Sequence, residues 1–568
     1  MSNFLNNQIE LEKKYSLKQY VVFPTHLSVL LAIVSGLLMA ASQEINLSGA
    51  QWIAFVGIVP LLIAIDRKRP LTTFLLALLA FNLYLAHPLW WLVRYGFYAM
   101  AGLVFMESAA YSLAFLIYNF IRDRSQWRDP CLLTLPMLIV IVEFKRSIGP
   151  WAFPWSDFAH TQWGNLMFIQ GASIWGALGV GFLVVWINVF LYQLIKAFPN
   201  QPVKLAVGLP LIGVVMFNLL YGHNMLLNDD FKNSQAYPTT ITQRAGLTDV
   251  AWTLNYNDKA WMDYHNLTRS EIDKTQGLPG FVLWPENAIP DLLENRLEGL
   301  EHLANVSKKA FIVGTLTYKP EDADYNRDYN EPWFNLYNSN VSVSPDYGYC
   351  GTYSKVHLVP FGESIPMREY LAILEYPWGD KNLKEGRIIN ALTTPYGGAG
   401  TMVCYESFFP QISRMLILDG AKYLFLSSNT SWFGDSIATW QHARYDVFRA
   451  IENGCYFARA ATTGVSSIID PRGRILHETK TFVSESFTEN IHPLEPNHFG
   501  AATIYTVTGD WLAYVSLIWF VLTLMRIFRP KSAKPLSETI AYIEDQNQEN
   551  LTPNLFLKRA VRQNYQSS

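Results

Sequence analysis

Gly400-Thr401-Met402-Val403-Cys404-Tyr405-Glu406-Ser407-Phe408 ends a short apolar run on a thiol and leads into a stretch whose spacing predicts a helix over 408–419. The end of a buried strand, where rigid scaffold hands over to a loop, is a common seat of chemistry. A second run of this kind, Phe281-Val282-Leu283-Trp284, passes through Pro285 to Glu286. Between 237 and 500 such short apolar runs alternate with longer amphipathic stretches, the pattern of a mixed α/β domain. Strands are expected at 239–243, 280–284, 310–316, 337–343, 400–404, 423–427, 456–461 and 465–470, and helices at 257–275, 292–308, 408–419 and 437–453, without internal repeats.

The flanks differ in kind. Of the 568 residues half are apolar and 16% charged, a balance that favours a membrane protein carrying a globular part. A bilayer core of about 30 Å takes about 20 apolar residues per helix. Candidate spans lie at 21–43, 45–65, 71–93, 97–121, 131–144, 171–195 and 205–221, and an eighth at 504–527 carries Asp510 near one end. The expected organisation is therefore an α-helical transmembrane bundle of about eight spans plus an α/β domain. Residues 1–222 hold about seven spans, 223–502 form the globular domain, 503–528 the last helix and 529–568 a polar tail.

Basic residues stay preferentially on the cytoplasmic side of short loops. With the N-terminus inside, fifteen Lys and Arg flank the cytoplasmic ends, against Arg94, Lys145 and Arg146 opposite. Both termini are then cytoplasmic and the globular domain extracytoplasmic. Ala40-Ala41-Ser42 after the first apolar run is also the pattern of a signal-peptide cleavage site, but removing that span would undo the asymmetry, so it reads as a retained anchor. A net charge of −3 argues against a nucleic-acid partner. Four cysteines make no dense disulfide framework. Cys350 and Cys455 are either bridged or two separate thiols, whereas Cys404 must be free to act as a nucleophile.

Cys404, Glu286 and Lys355 together form a candidate acyl-transfer constellation of thiol, base and fixed cation. Each alone has an ordinary explanation: a core thiol, a turn carboxylate, a surface cation. Context outweighs those readings. Around Lys355, His357 and Glu363 sit among apolar residues with Pro360, Gly362 and Pro366 limiting the backbone. Amides of a helix starting after Cys404 would favour its thiolate. No compact His, Cys or carboxylate cluster reads as a metal site.

The chain resembles the nitrilase superfamily, whose sites use Glu, Lys and Cys in this order, and within it the apolipoprotein N-acyltransferases, the integral-membrane branch. The resemblance rests on Trp284-Pro285-Glu286-Asn287-Ala288-Ile289-Pro290, on 355–363, on Cys404-Tyr405-Glu406 and on Ser428-Asn429-Thr430-Ser431-Trp432-Phe433-Gly434. It extends to Trp440-Gln441-His442, Phe153-Pro154-Trp155 and Thr508-Gly509-Asp510-Trp511, so it covers almost the whole chain. It implies an α-β-β-α sandwich on the periplasmic side of the bacterial inner membrane, mounted on eight helices. The implied reaction transfers an acyl chain from a phospholipid to the N-terminal amine of diacylglyceryl-cysteine in an apolipoprotein, with no metal or organic cofactor. Thr430-Ser431 stands where the family has Asp-Ala, and Ala461-Thr462-Thr463-Gly464 lacks the family's Asn before Gly; both bear on donor or acceptor preference.

In this scheme Glu286 takes the thiol proton, Cys404 attacks the ester, and Lys355 with an amide near Tyr405 stabilises the oxyanion. A thioester forms, then the acceptor amine resolves it in ping-pong order. Glu363 and Glu406 orient Lys355 or the amine, or are ordinary loop carboxylates; Tyr405 and Asn429 are further supporting candidates. Trp252, Trp432, Phe433 and Trp440 are candidates for an acyl pocket, set against plain core packing. The apolar segment 365–378 either dips into the membrane interface or straps the sandwich. The chain is expected to act as a monomer. Two other readings use the same residues: a membrane-tethered hydrolase passing the acyl group to water, and a silent lipoprotein-binding module. The many-helix anchor argues against the first and the complete triad against the second.

Overall fold

The computed structural model describes residues 24–124, 132–197, 205–246, 254–318, 336–360, 362–363, 383–495 and 503–528. Among them, Thr25–Ser42, Phe97–Arg122, Ala172–Ala197, Gly208–Asn233 and Trp511–Phe528 are helical segments long and apolar enough to cross a bilayer, and Pro70–Ala86 is a shorter apolar helix. Large apolar side chains such as Leu37, Leu75, Leu220 and Ile518 point outward from them, which suits lipid rather than water. Of segment 521–568, residues 521–528 are described and continue the helix Trp511–Phe528.

Four expected spans take a different form. Residues 45–65 make two short helices, Ala50–Ile53 and Val59–Ala64, instead of one. The backbone freed between them is satisfied by buried side chains: Asn188 accepts from the Ile58 amide at 2.9 Å and donates to the Ala54 carbonyl at 2.8 Å, and Ser35 donates to the Gly57 carbonyl. Irregular backbone inside an apolar bundle is tolerated only where protein supplies such partners. The third span stops at Ala86, before Pro88, and continues as the 3₁₀ turn Trp90–Tyr95; proline cannot donate to a helix ladder. The eighth is interrupted at Gly509, φ +63°, between Ile504–Thr508 and Trp511–Phe528. The fifth, Thr134–Arg146, is a 13-residue helix.

The globular part is a four-layer sandwich. One sheet has six strands in the order β11-β1-β2-β3-β4-β5: β1 Tyr237–Gln243, β2 Gly280–Leu292, β3 Lys309–Tyr318, β4 Leu336–Ser344, β5 Gly348–Ser354 and β11 Glu485–Ile491. The other runs β10-β9-β8-β7-β6: β6 Gly398–Val403, β7 Ala421–Asn429, β8 Phe457–Thr462, β9 Ser467–Ile469 and β10 Ile475–Glu478. β1, β2 and β3 are parallel, as are β6, β7 and β8, and residues 281–284 of β2 and 423–426 of β7 read as continuous apolar runs because both faces are covered. The sequence reading missed β5, β10 and β11. β5 carries Gly348 and Gly351, and β11 reads Glu-Ser-Phe-Thr-Glu-Asn-Ile; glycine and charge on edge strands hide the period-two signal.

Helices Leu254–Ile272 and Leu297–Ser307 cover the six-stranded sheet, and Pro410–Leu418 and Ile437–Asn453 the five-stranded one. In Ile437–Asn453 every residue from Gln441 to Asn453 is buried, as expected of a helix enclosed on all sides. Its outer side meets the membrane helices and the segment 152–160. Tyr445 Oη accepts from the Ser156 amide at 2.8 Å and donates to the Pro154 carbonyl at 3.1 Å, Gln441 Oε1 accepts from Trp155 Nε1 at 3.1 Å, and Glu452 Oε1 accepts from the Ala177 amide at 2.9 Å.

Candidate active site

The two sheets face each other, and their C-terminal strand ends carry the site. Ser427 Oγ donates to the Trp284 carbonyl across the gap at 2.9 Å, and Asn340 Nδ2 to the Met402 carbonyl at 2.9 Å. These bonds register β2 against β7 and β4 against β6. Glu286 lies just beyond the register break in β2 after Trp284. Its backbone lies so close to β3 that a Cβ on Gly314 would fall 2.4 Å from the Pro285 carbonyl oxygen and 2.6 Å from Glu286 Cα.

Glu286 is buried and bound at both oxygens: Oε1 accepts from Asn338 Nδ2 at 2.6 Å, Oε2 from the Asn429 amide at 2.6 Å. Lys355, at the end of β5, reaches Glu363 Oε2 at 2.7 Å and lies 3.8 Å from Glu286 Oε1. Glu363 also accepts from Asn338 Nδ2 at 3.1 Å and from the Val359 amide at 2.8 Å. One asparagine thus spans two carboxylates that share one ammonium. Burial pushes the Glu286 carboxyl up, with Lys355 the strongest opposing influence. Lys355 is raised, since Glu363 and Glu286 outweigh its own burial. Glu363 is lowered: although burial is the largest single influence and raises it, Lys355 and three hydrogen bonds together prevail. An ammonium beside ionised Glu363 is therefore the resting state.

Cys404 directly follows β6 in a left-handed conformation, φ +50°. Its thiol lies 3.8 Å from the Asn429 carbonyl oxygen, so the Asn429 backbone meets Cys404 through its carbonyl and Glu286 through its N–H. Here the structure corrects the expected thiolate. Cys404 opens a five-residue 3₁₀ turn, Cys404–Phe408, and the α-helix starts only at Pro410. The thiol is pushed up to about 12, first by burial and then by Glu286, while Lys355 pulls the other way. The resting sulfur is an S–H that needs a base.

Glu406 is no loose carboxylate. Oε1 accepts from Tyr353 Oη and the Val356 and His357 amides, and Oε2 from the Val403 amide at 2.7 Å. It staples the Lys355 loop to the strand carrying Cys404 and does not touch the Lys355 ammonium. Burial raises its carboxyl to about 7 despite these bonds. The Tyr405 hydroxyl turns away from the thiol and donates to the Ala152 carbonyl at 3.1 Å. Asn429 Oδ1 accepts from the Ser431 amide and hydroxyl.

The aromatic candidates separate. Phe433 is core, packed on Trp91, Trp155 and His442. Trp440 is half-buried with the Arg444 guanidinium 5.5 Å from its ring centroid. Trp432 is 42% exposed, and its carbonyl accepts from Tyr95 Oη at 2.8 Å. Trp252 and the segment 365–378 lie outside the described residues. The two departures from the family pattern touch each other, since Thr430 Oγ1 donates to the Thr462 carbonyl at 3.1 Å. Cys350, Cys404 and Cys455 are free thiols, so the Cys350–Cys455 bridge left open by the sequence is not formed. Among the described residues no group of three or more His, Cys, Asp or Glu is placed to hold a metal ion.

Asn338, which links Glu286 to Glu363, escaped the sequence reading. Its signal was present: Asn338 and Asn340 recur at period two in β4, where asparagine is disfavoured, and both face the other sheet.

Residues 35–190 match the family model of the apolipoprotein N-acyltransferase N-terminal domain, and residues 244–491 that of the carbon-nitrogen hydrolases. The apolipoprotein N-acyltransferase of Geobacter metallireducens is 30% identical over 521 residues, spanning 89% of this chain and 96% of that protein. Those of Haemophilus influenzae and Chlorobaculum tepidum are each 27% identical, covering 76% and 86% of this chain and 80% and 94% of their own length. With a nitrilase-type sandwich joined to apolar helices and a relative matched nearly end to end, the chain belongs to the apolipoprotein N-acyltransferase family.

Proposed function

We propose that this protein transfers an acyl chain from a membrane phospholipid to the N-terminal amine of a diacylglyceryl-cysteine apolipoprotein, through a thioester on Cys404. The observation that carries the reading is the Asn429 backbone, with Glu286 Oε2 on its N–H at 2.6 Å and the Cys404 thiol 3.8 Å from its carbonyl, beside a Lys355 ammonium 3.8 Å from Glu286. Base, thiol and cation converge between the sheets.

Glu286 takes the thiol proton as sulfur attacks the ester carbonyl. The oxyanion is met by Lys355 and the Tyr405 amide. The C–O bond breaks, Glu286 returns the proton to the leaving alcohol, and a lysophospholipid departs. The acceptor amine then attacks the thioester, loses its proton to Glu286, and the C–S bond breaks to restore the thiol. Glu363 and Asn338 hold Lys355 and Glu286 in register. The resting S–H agrees with a base-activated nucleophile rather than a standing thiolate.

The proposed setting is the inner membrane of a bacterium. It comprises about eight spans divided as 1–222 and 503–528, the domain 223–502 on the periplasmic side, both termini cytoplasmic and a monomeric chain. The asymmetry of Lys and Arg supports this orientation. The test incubates purified protein with phospholipid and a diacylglyceryl-cysteine peptide and weighs the peptide. Gain of one acyl chain on the amine, lost in Cys404→Ala, is expected. Free fatty acid with an unmodified peptide would replace this reading with a hydrolase.

A further inference from the structure

Cys404 is not a glycine, yet it adopts φ +50°, a conformation that L side chains rarely take and that persists only where the surroundings impose it. Beneath it lies a buried polar network that the acyl-transfer chemistry does not use. The Cys404 carbonyl oxygen is 3.1 Å from His442 Nε2, which is also 3.2 Å from Ser407 Oγ. The other ring nitrogen, Nδ1, is 2.9 Å from Arg459 Nη2. Arg459 Nη1 pairs with Asp446 Oδ2 at 2.9 Å, with both side chains fully buried.

A guanidinium carries only donors, so His442 Nδ1 must accept and the ring hydrogen must sit on Nε2. Burial and Arg459 hold His442 well below the usual imidazole range, so the ring is neutral. The Nε2–H therefore points at the carbonyl of the nucleophile. Phe408 stacks on the ring at 4.8 Å and 12°. Arg449 Nη1 meets the Ser407 and Phe408 carbonyls at 3.2 and 3.4 Å. One helix, Ile437–Asn453, thus grips the turn 404–408 at three carbonyls, two through Arg449 and one through His442.

We infer that His442, fixed as its Nε2–H tautomer by Arg459 and Asp446, is a positioning residue that holds the Cys404 backbone in its left-handed turn and so aims the sulfur. The inference rests on the acyl-transfer reading. Loss of the Nε2–H removes a buried side-chain donor from the Cys404 carbonyl, beside a backbone conformation that needs support, and the turn relaxes. His442 touches no substrate, so the effect falls on the rate of sulfur attack and not on lipid binding.

The test uses the full chain in phospholipid micelles and tracks acyl-Cys404 formation by intact-protein mass spectrometry without acceptor. His442→Phe, which keeps a flat ring but no donor, is expected to slow acylation by about 10²-fold, the scale of a small misplacement at a reacting atom. The KM for phospholipid should stay within about twofold of wild type in this positioning role. His442→Gln, whose amide can reach the same carbonyl, should recover part of the lost rate. Acylation at the wild-type rate in His442→Phe would overturn the inference, as would an equal loss in both variants with a raised KM. A separate measurement needs no variant activity: ¹⁵N spectra of histidine-labelled wild type, assigned by the signal that either substitution removes, should show a protonated Nε2 and a bare Nδ1. An Nδ1–H or doubly protonated ring would overturn it. Wild-type protein that forms no acyl-Cys404 would instead overturn the acyl-transfer reading and leave the tautomer result standing.

Discussion

The two sheets of the sandwich divide the site between them and rest on different foundations. The six-stranded sheet supplies the charges, Glu286, Lys355 and their Asn338 link, and its outer face has its own small core of Trp284, Tyr264, Leu300 and Phe311 under amphipathic helices. The five-stranded sheet supplies Cys404 and Asn429, and its core runs without a break through Phe408, Tyr445 and Trp155 into the membrane helices. Glu286 and Lys355 thus sit on the sheet that has a separate core on its outer face, and Cys404 beside the sheet whose outer helix, Ile437–Asn453, packs on the bundle. Disturbance in the bundle should reach Cys404 first, whereas disturbance in the outer core should reach neither.

The largest effect expected on turnover is that of Glu286→Gln, a loss of roughly 10³-fold for a general base. The same change should make the thiol more reactive toward uncharged iodoacetamide, because Glu286 raises the Cys404 pKa. In wild type the thiolate fraction, and with it alkylation, should keep climbing with pH toward about 12. A plateau near neutral pH would contradict the buried S–H. Next comes Gly314→Ala, whose new methyl group must displace Pro285 or Glu286. Turnover should fall by about 10- to 100-fold, and stability by about 1–3 kcal/mol, read from kcat and thermal melting.

Tyr445→Phe sharpens the comparison from the other side. It removes the hydroxyl serving Ser156 and Pro154, and an unpaired buried group costs about 1–3 kcal/mol. A lower melting temperature with a several-fold drop in acylation is expected, since Phe408 packs on the same ring. The smallest effect on rate belongs to Leu300→Ala in the outer core: stability falls by about 2–5 kcal/mol, with turnover per folded molecule unchanged. If Leu300→Ala slowed acylation more than Tyr445→Phe, the division between the two halves would be wrong.

Sequence alone exposed the parts whose signal is local. Apolar runs located the central strands, and the helix at 437–453 matched its expected bounds. Glu286, Lys355 and Glu363 announced themselves as charges among apolar neighbours. Pairing across sequence distance stayed hidden. Glu406 looked like a partner for Lys355, but its oxygens are spent on four donors around the Lys355 loop and β6. The state of the thiol was misread because burial beside Glu286 outweighs the few amides of a short turn. The break in the span at 45–65 is satisfied by Asn188, more than a hundred residues away, a pairing that no window of hydropathy could register.

The most direct test of the central claim is to incubate the protein with phospholipid in the absence of acceptor and map any acyl group by peptide mass spectrometry. The account predicts one acyl chain on Cys404, released by neutral hydroxylamine and chased onto the amine when a diacylglyceryl-cysteine peptide is added. An acceptor acylated at full rate with Cys404 never labelled, or labelling that persists in Cys404→Ala, would contradict it.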